Sequence, residues 1–310
     1  RAKLNVKELR QQNKFLELCQ DIGRTVKSAE VEVNLKKQPH LNFNPEKEII
    51  PFGPQAEVYK ARLTSNPRVD TRVDRIVSDT DLKAVMGVTE LYRKGFEETF
   101  LTKLLSSGNM GLEQNRKLVP TRWSITAVDD TVGKKLLEEI KDFPLGEEQA
   151  YFGGSWGNYY LVLLFPENWG FELFETYIEY KVNPWSKEGN FYSTDYEDYS
   201  GRKSYAEECA GGYYAARLAV LEKMKDQKRQ NSALVLRFIT SEYKIPLGVW
   251  VCREACRKSM KEKPLIFGDK QLMLKYAEEL VKRKLGFEVN LLLTESRLLK
   301  REKQKKLGEF

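Results

Sequence analysis

The sequence contains a single histidine, His40, and only four cysteines. Because histidine is the commonest side chain in general acid–base catalysis, its near absence argues against a histidine-based active site. The cysteines, Cys19, Cys209, Cys252 and Cys256, are too few for a disulfide scaffold and lack the spacing of a four-thiolate zinc site, so zinc is not expected. Cys252 and Cys256 lie four residues apart, which predicts two small apolar side chains on one face of a helix.

The sequence also lacks a long apolar run. The longest stretch, YYLVLLF at Tyr159–Phe165, has the length of a strand and falls far short of the roughly 18 residues that a membrane span requires. Near Arg1 there is no succession of basic, apolar and small residues that would indicate a signal peptide. We therefore expect an intracellular, cytoplasmic protein with no membrane partner, and whether Arg1 is the native first residue stays open.

Positive charge is concentrated at the two ends of the sequence. Residues 1–40 hold nine Lys/Arg against five Asp/Glu, and residues 221–310 hold twenty-two against twelve. Since the formal net charge is +7, residues 41–220 carry the difference of −7. Basic flanks can neutralise DNA phosphates, which supplies most non-specific affinity, but solvated helix faces have the same composition.

The order of periodic segments predicts an α/β or α+β fold, with a mixed sheet covered by helices. An amphipathic pattern predicts an N-terminal helix, and the proline-interrupted segment after it predicts an extended arm. We divide the chain into four parts: the helix and arm (1–50), a helix-rich half with a strand–helix motif (51–150), a mixed α/β half (151–303) and a tail (304–310).

Several segments have predicted conformations on which the candidate sites depend. TRWSITAV alternates like a strand, and DDTVGKKLLEEIKDF follows it as a helix. Ser78 and Asp79 are predicted to cap the start of a helix. VWVCREACRKSMKEK is predicted to turn from strand into helix. NPWSKEGNFYSTDYEDYSGRKSY has little periodicity and predicts a long loop, and long ordered loops are often functional.

Two acidic pairs are the candidate catalytic residues. Asp129 and Asp130 fall at the predicted strand–helix junction, where carboxylates can hold a divalent metal such as magnesium or manganese. Asp79 and Asp81 could add oxygen ligands, and Arg122 or Lys117 could bind a phosphate. The alternative is that each pair caps a helix, because carboxylates in a first turn accept hydrogen bonds from free backbone N–H groups.

A second candidate is the predicted loop STDYEDYSGRKSY. Asp195, Glu197 and Asp198 precede Arg202 and Lys203 in it, and tyrosines beside basic residues can stack on nucleic-acid bases. Ordinary solvation of a loop is the alternative interpretation.

Four long motifs resemble one known family. VSDTDLKA (77–84), RKLVPTRWSITAVDDT (116–131), GGYYAARLAVLE (211–222) and PLGVWVCREA (246–255) are similar, in this order, to the archaeal Nre family of DNA repair proteins. The resemblance implies an archaeal, nucleoid-associated DNA repair protein that binds the sliding clamp, PCNA, through a C-terminal peptide. Many members also have a cysteine-rich zinc-binding N-terminus, but only Cys19 lies in that region here, so zinc is not carried over.

The final segment, QKKLGEF, matches the pattern of a clamp-interacting peptide. Gln304, Leu307 and Phe310 follow one another at intervals of three, and one 3₁₀ turn places residues i and i+3 on one side. Leu307 and Phe310 would then enter an apolar groove of the clamp beside Gln304. The motif commonly ends in two aromatic residues, whereas Phe310 stands alone.

Two functional hypotheses follow from the sequence. The first is a clamp-recruited DNA repair factor that also contacts DNA. The second is a metal-dependent nuclease or phosphoesterase that acts on nucleic-acid or nucleotide phosphates. The sequence does not decide whether the protein is an enzyme, and it identifies neither a lesion nor an oligomeric state.

Overall fold

The computed structural model forms two compact units. Unit 1 comprises Arg1–Lys135 and Ile245–Gly248, and unit 2 comprises Leu136–Lys244 and Val249–Phe310. The structure describes residues 4–5, 14–39, 56–179, 183, 186, 188–244 and 247–301. The division between the units falls inside one long helix, and the four parts predicted from composition stay predictions.

Unit 1 combines helices with two small antiparallel strand pairs. β1 (Leu4–Asn5) pairs with β4 (Lys117–Leu118), and β2 (Val31–Leu35) pairs with β3 (Val58–Leu63). Its helices are α1 (Lys14–Arg24), α2 (Thr71–Ser78), α3 (Ala84–Arg93), α4 (Glu98–Ser106) and the first part of α5 (Thr121–Ile140), with a 3₁₀ turn at Glu113–Asn115. The predicted N-terminal helix is confirmed by α1.

Helix α1 packs closely against the end of α4. A Cβ atom at Gly23 would collide with Ser107 Oγ, so the two backbones can approach only with glycine at that position. Asn109 Nδ2 donates to the carbonyl of Gln20 at 3.0 Å, which joins the helix to the segment after α4.

Helix α2 begins at a side-chain cap. Asp70 Oδ1 accepts a hydrogen bond from the backbone N–H of Arg72 at 2.9 Å, and hydrogen bonds from Arg72 lower the pKa of Asp70 to about 2. The predicted N-terminal cap at Ser78 and Asp79 is wrong. Ser78 ends α2 and Asp79 is its C-cap, because the apolar periodicity of TRVDRIVS already belongs to the helix that Asp70 starts.

Unit 2 is built on a six-stranded sheet. The strands are β5 (Glu148–Ser155), β6 (Asn158–Phe165), β7 (Phe171–Tyr177), β8 (Tyr192–Glu197), β9 (Ser232–Ile239) and β10 (Leu265–Phe267). Their order is β10-β5-β6-β9-β7-β8, with β7 and β9 parallel and the other neighbours antiparallel. The helices are α6 (Ala210–Gln227), α7 (Val249–Lys261), α8 (Lys270–Leu285), α9 (Asn290–Glu295) and α10 (Arg297–Lys300).

Helices cover both faces of this sheet. On one face, apolar residues such as Leu161, Leu163 and Leu236 pack with residues of α8, α9 and α10. On the other face, α7 lies against β6, where Ser259 Oγ donates to the carbonyl of Tyr160 at 3.1 Å, and α6 lies against β7. Strands that are buried on both faces are apolar at nearly every position. The predicted mixed sheet covered by helices is confirmed.

The strand predicted at TRWSITAV is wrong, because these residues begin α5. The carbonyl of Pro120 accepts hydrogen bonds from the backbone N–H groups of Trp123 (2.9 Å) and Ser124 (3.0 Å), which starts the helix. Its buried apolar residues recur at helical spacing: Val128, Val132, Leu136 and Ile140. Eight residues are too few to separate this period from the alternation of a strand.

Two further local predictions are wrong. VWVCREACRKSMK is helical from its first residue, because Val251, Ala255 and Ser259 bury one helical face. The predicted long loop contains β8, whose alternation was hidden because its buried side chains are Ser193, Asp195 and Glu197 rather than apolar residues. Pairing with β7 satisfies the backbone groups on one side of this polar edge strand.

A buried carboxylate secures the short helix α10. Glu172 of β7 accepts hydrogen bonds from Ser296 Oγ and from the backbone N–H groups of Arg297 (2.9 Å) and Leu298 (3.0 Å). Burial raises the pKa of Glu172 above its usual value of 4.5, although these hydrogen bonds act in the opposite direction.

We expect Glu172→Gln to lower the free energy of unfolding by about 1–3 kcal/mol, because the amide leaves a buried N–H without an acceptor. A group whose folded pKa is raised loses its stabilising contribution as pH rises from 4.5 through the folded value. The variant cannot titrate there, so its deficit should be smaller at pH 7 than at pH 4. Urea denaturation at both pH values measures this, and a deficit that grows with pH would contradict it.

Candidate functional site

Two parallel strands of unit 2 end at the same edge of the sheet. β7 ends at Tyr177 and β9 at Ile239, and the two residues are Cα partners. The turn between β5 and β6 reaches the same edge, because Asn158 is the partner of Ile239 on the other side. Ligands of sheets with parallel strands usually bind outside the carboxyl ends of those strands. We call this region the carboxyl edge.

A buried polar network underlies the carboxyl edge. Arg237 Nη1 donates to Glu175 Oε1 at 2.6 Å, and Arg237 Nε donates to Asn158 Oδ1 at 3.0 Å. The side chains of Arg237 and Glu175 are only 7% and 13% exposed. The network therefore joins β6, β9 and β7, and it holds the edge in one register rather than presenting a charge to solvent.

Helix α6 begins directly above this network. Gly212 lies so close to Glu175 that a Cβ atom there would collide with the carboxylate oxygen Oε1. The preceding Ala210 has a φ of 46°, a left-handed conformation that is strained for a residue with a side chain. The first turn of α6 therefore packs directly against the ion pair of Arg237 and Glu175.

The start of α6 is anchored by Asp195. Its carboxylate accepts hydrogen bonds from the backbone N–H groups of Glu207 (3.0 Å), Glu208 (2.9 Å) and Cys209 (2.8 Å). Arg202 pairs with the same carboxylate at 3.0 Å. Two members of the second sequence-predicted candidate are therefore partners of each other inside the fold.

The other acidic members of that candidate also have contacts within the fold. Glu197 pairs with Arg217 at 2.8 Å and accepts a hydrogen bond from Trp169 Nε1 at 3.0 Å, and all three side chains are buried. Asp198 Oδ1 accepts a hydrogen bond from the backbone N–H of Ser200 at 2.8 Å. Lys203 is exposed.

Three buried cysteines lie at the start of α6 and in α7. Burial raises the pKa of Cys209, Cys252 and Cys256, which disfavours the reactive thiolate form. Cys252 and Cys256 lie on one buried face of α7, as predicted.

An aromatic pair is exposed at the carboxyl edge. Trp156, in the turn between β5 and β6, meets Trp250 of α7 edge to face, with 6.0 Å between the ring centroids. Trp156 is 54% exposed and Trp250 37%. Exposed aromatic rings can stack on unpaired bases.

A cleft of about 490 Å³ opens at the carboxyl edge on the side of the sheet that faces α8. Phe152 and Tyr159 contribute aromatic rings to its lining, and Glu179 and Glu242 contribute carboxylates. Ser241 Oγ donates to Glu179 Oε1 at 2.6 Å, and Tyr159 OH donates to Glu242 Oε2 at 3.3 Å. The cleft has the size and the mixed apolar and polar lining of a small-molecule site, for which volumes of about 300–1,000 Å³ are typical.

The first sequence-predicted candidate lies in unit 1. Asp79 Oδ1 accepts a hydrogen bond from the backbone N–H of Asp81 at 3.0 Å, in a turn between α2 and α3. Arg122 is exposed in the first turn of α5, with its guanidinium 5.8 Å from the ring centroid of Trp123. Asp129 and Asp130 lie in the middle of α5, so neither stands at the strand end or helix start that was expected.

The two central aspartates of α5 have different environments. Asp129 is fully buried, whereas Asp130 pairs with Lys134 one turn later at 2.7 Å. Among the residues that the structure describes, no three His, Cys, Asp or Glu side chains are grouped as metal ligands. Metal binding by Asp129 and Asp130, with Asp79 and Asp81, stays a prediction.

Two other expectations concern the tail and the membrane. Gln304, Leu307 and Phe310 lie outside the described residues. Among the described helices, none combines the length and apolar character that crossing a membrane requires.

Comparison with known families covers nearly the whole sequence. A model of the N-terminal part of archaeal Nre proteins matches residues 1–185, and a model of their C-terminal part matches residues 197–310. The chain belongs to the archaeal Nre family. The carboxyl edge of this Nre chain is formed by residues from both matched regions, since β7 lies in the first and β9 in the second.

Curated relatives support the same membership. Two proteins named DNA repair protein NreA, from Archaeoglobus fulgidus and Haloferax volcanii, are 36% and 37% identical over 86% and 80% of this Nre chain. DNA repair protein NreB from Archaeoglobus fulgidus is 33% identical over 96% of it. The matched segments span 67%, 60% and 74% of these relatives' own lengths. No solved structure matches this Nre chain.

Sequence reasoning missed the carboxyl edge, although three signals were present. Arg237 and Glu175 are charged residues inside apolar strands, and two glycines, Gly211 and Gly212, stand at the start of a helix. A charge in a buried strand requires a partner, and a helical glycine indicates close approach.

We expect Gly212→Ala to lower the free energy of unfolding by about 1–3 kcal/mol, because the added methyl group displaces Glu175 from Arg237. Gly268→Ala is the matched control, since no atom lies within 4 Å of a Cβ at that position. It should change stability by less than about 0.5 kcal/mol. Urea denaturation compares the two variants. Equal stabilities would show that α6 does not pack against the ion pair of Glu175 and Arg237.

Proposed function

We propose that this protein is a DNA repair factor that contacts DNA and is recruited to it by the sliding clamp through QKKLGEF. The observation that carries the proposal is the match over 80–96% of the chain to relatives named DNA repair proteins. Because those relatives are longer than the matched segments, activities of their remaining parts are not transferred.

Exposed basic residues of unit 2 support the contact with DNA. Lys282, Arg283 and Lys284 form the last turn of α8, and all three are exposed. Lys258 and Lys261 are exposed near the end of α7. Positive charge at a helix C-terminus also stabilises the helix, because it interacts favourably with the helix dipole. Binding measurements must therefore separate a DNA contact from helix stabilisation.

The first test is the salt dependence of DNA binding. Each phosphate contact releases counterions, so affinity for a short DNA should fall steeply as salt rises. Lys282→Glu with Arg283→Glu should make the slope of log affinity against log salt shallower by about two. Fluorescence anisotropy with a labelled oligonucleotide measures both.

The matched control for this test is Arg93→Glu with Lys60→Glu, which reverses two exposed charges in the segment of net negative charge and touches no candidate site. It should leave binding close to that of the unchanged protein. Binding that is independent of salt, or absent at low salt, would refute the DNA contact.

The second test concerns the tail. Leu307→Ala with Phe310→Ala should abolish binding to the clamp, because the two apolar side chains are the expected anchors. A short peptide that orders on binding should reach micromolar affinity, on the order of 8 kcal/mol. Calorimetry with the full chain and with a peptide of residues 304–310 measures it.

Affinity of the doubly substituted chain for DNA is the control, and it should be unchanged. If the chain without residues 304–310 binds the clamp as tightly as the full chain, the tail is not the contact.

A further inference from the structure

Two aromatic rings line the floor of the cleft at the carboxyl edge. The rings of Phe152 and Tyr159 are nearly parallel, with an angle of 12° between them and 6.5 Å between their centroids. Both side chains are partly buried and pack against the apolar core, as do Ile178 and Leu285 of the same cleft. An apolar floor with parallel rings favours a planar ligand over an extended aliphatic one.

The rim of the cleft offers hydrogen-bond acceptors. Within the part of the chain that the structure describes, Glu179 accepts hydrogen bonds through Oε1 and Glu242 through Oε2. The second oxygen of each carboxylate can therefore accept a hydrogen bond from a ligand. The rim therefore suits a ligand that presents adjacent N–H donors.

The rim of the cleft carries both negative and positive charge, from two carboxylates and one lysine. Lys284 of α8 lines the cleft, and Lys282 and Arg283 precede it in the same helical turn. Two carboxylates repel a phosphate from the floor, whereas the basic turn attracts one at the border. A ligand with a donor-rich ring and an attached phosphate fits both parts.

Guanine is the base that presents two adjacent donors, N1–H and the N2 amino group, to a single carboxylate. Cytosine and adenine present one amino group, and thymine presents one imino group. We propose that the cleft binds an unstacked guanine base on the Phe152 and Tyr159 rings, with Glu179 or Glu242 accepting its hydrogen bonds and Lys284 facing its phosphate. The base comes either from single-stranded DNA or from a free guanine nucleotide, and the first source rests on the DNA contact proposed above.

The test uses the full chain and the four deoxynucleoside monophosphates. Calorimetry should show dGMP binding at least tenfold more tightly than dAMP, dCMP or TMP, because only guanine makes two hydrogen bonds to a charged acceptor. Glu179→Gln and Glu242→Gln together should reduce the affinity for dGMP by tenfold or more. Glu279→Gln, an exposed carboxylate of α8 outside the cleft, is the matched control and should have no effect.

A second pair of variants tests the stacking floor. Tyr159→Phe keeps the ring and removes only the hydroxyl, so most of the affinity should remain. Tyr159→Leu fills similar space without an aromatic face and should lose it. Thermal unfolding of both variants shows whether the cleft is intact, and equal affinities of two folded variants would overturn the stacking role.

The two sources are separated with oligonucleotides. An oligothymidine with one central guanine should bind more tightly than oligothymidine alone if the base is taken from DNA. If dGMP shows the preference and the oligonucleotides do not, the ligand is a free nucleotide. Equal affinity for all four bases, or no effect of the glutamate substitutions, overturns the proposal. That failure would leave the proposed DNA contact intact. The DNA contact is tested by the salt dependence of binding, which does not depend on the base, and by substitution of Lys282 and Arg283.

Discussion

A buried arginine holds three strands of unit 2 together. Arg237 of β9 bonds to Glu175 of β7 on one side and to Asn158 of β6 on the other. Breaking a buried ion pair by removal of one partner is costly, because the remaining charge has lost its solvation and its partner. Only one register of β7 on β9 brings Glu175 beside Arg237, so the pair favours the observed parallel alignment over a slipped one.

The carboxyl edge depends on this alignment. Because Tyr177 and Ile239 end level with each other, the segments that follow them supply Glu179 and Ser241, which then meet at 2.6 Å. On the other face, Gly212 lets α6 approach the ion pair, and Asp195 holds the helix start in place. Asn158 also donates to the carbonyl of Trp156 at 3.0 Å, so the network of Arg237 reaches the turn that carries this exposed tryptophan.

A second buried ion pair in unit 2 is also stabilised by a charged partner and a further hydrogen bond. Arg217 and Glu197 form a second pair with side chains at most 1% exposed, and Trp169 completes the hydrogen bonding of the carboxylate. In the sequence Glu197 fitted a solvated loop, because a charge by itself does not reveal that its partner lies 20 residues away. The polar strand β8 was missed for this reason, and so was the structural role of Asp195.

By itself, the sequence determined the fold class, the family, the N-terminal helix and the apolar strand β6, since helical periods and continuous apolar runs are local properties. It did not determine the conformation of TRWSITAV, whose short alternation fits either structure until α5 is seen at its full length. The carboxyl edge was decided only by the tertiary structure. Glu175, Glu179, Gly212, Arg237 and Glu242 are dispersed along the chain, and pairing of β7 with β9 brings them together. Such long-range pairing depends on burial and on complementary charges across strands, which no local pattern in the sequence records.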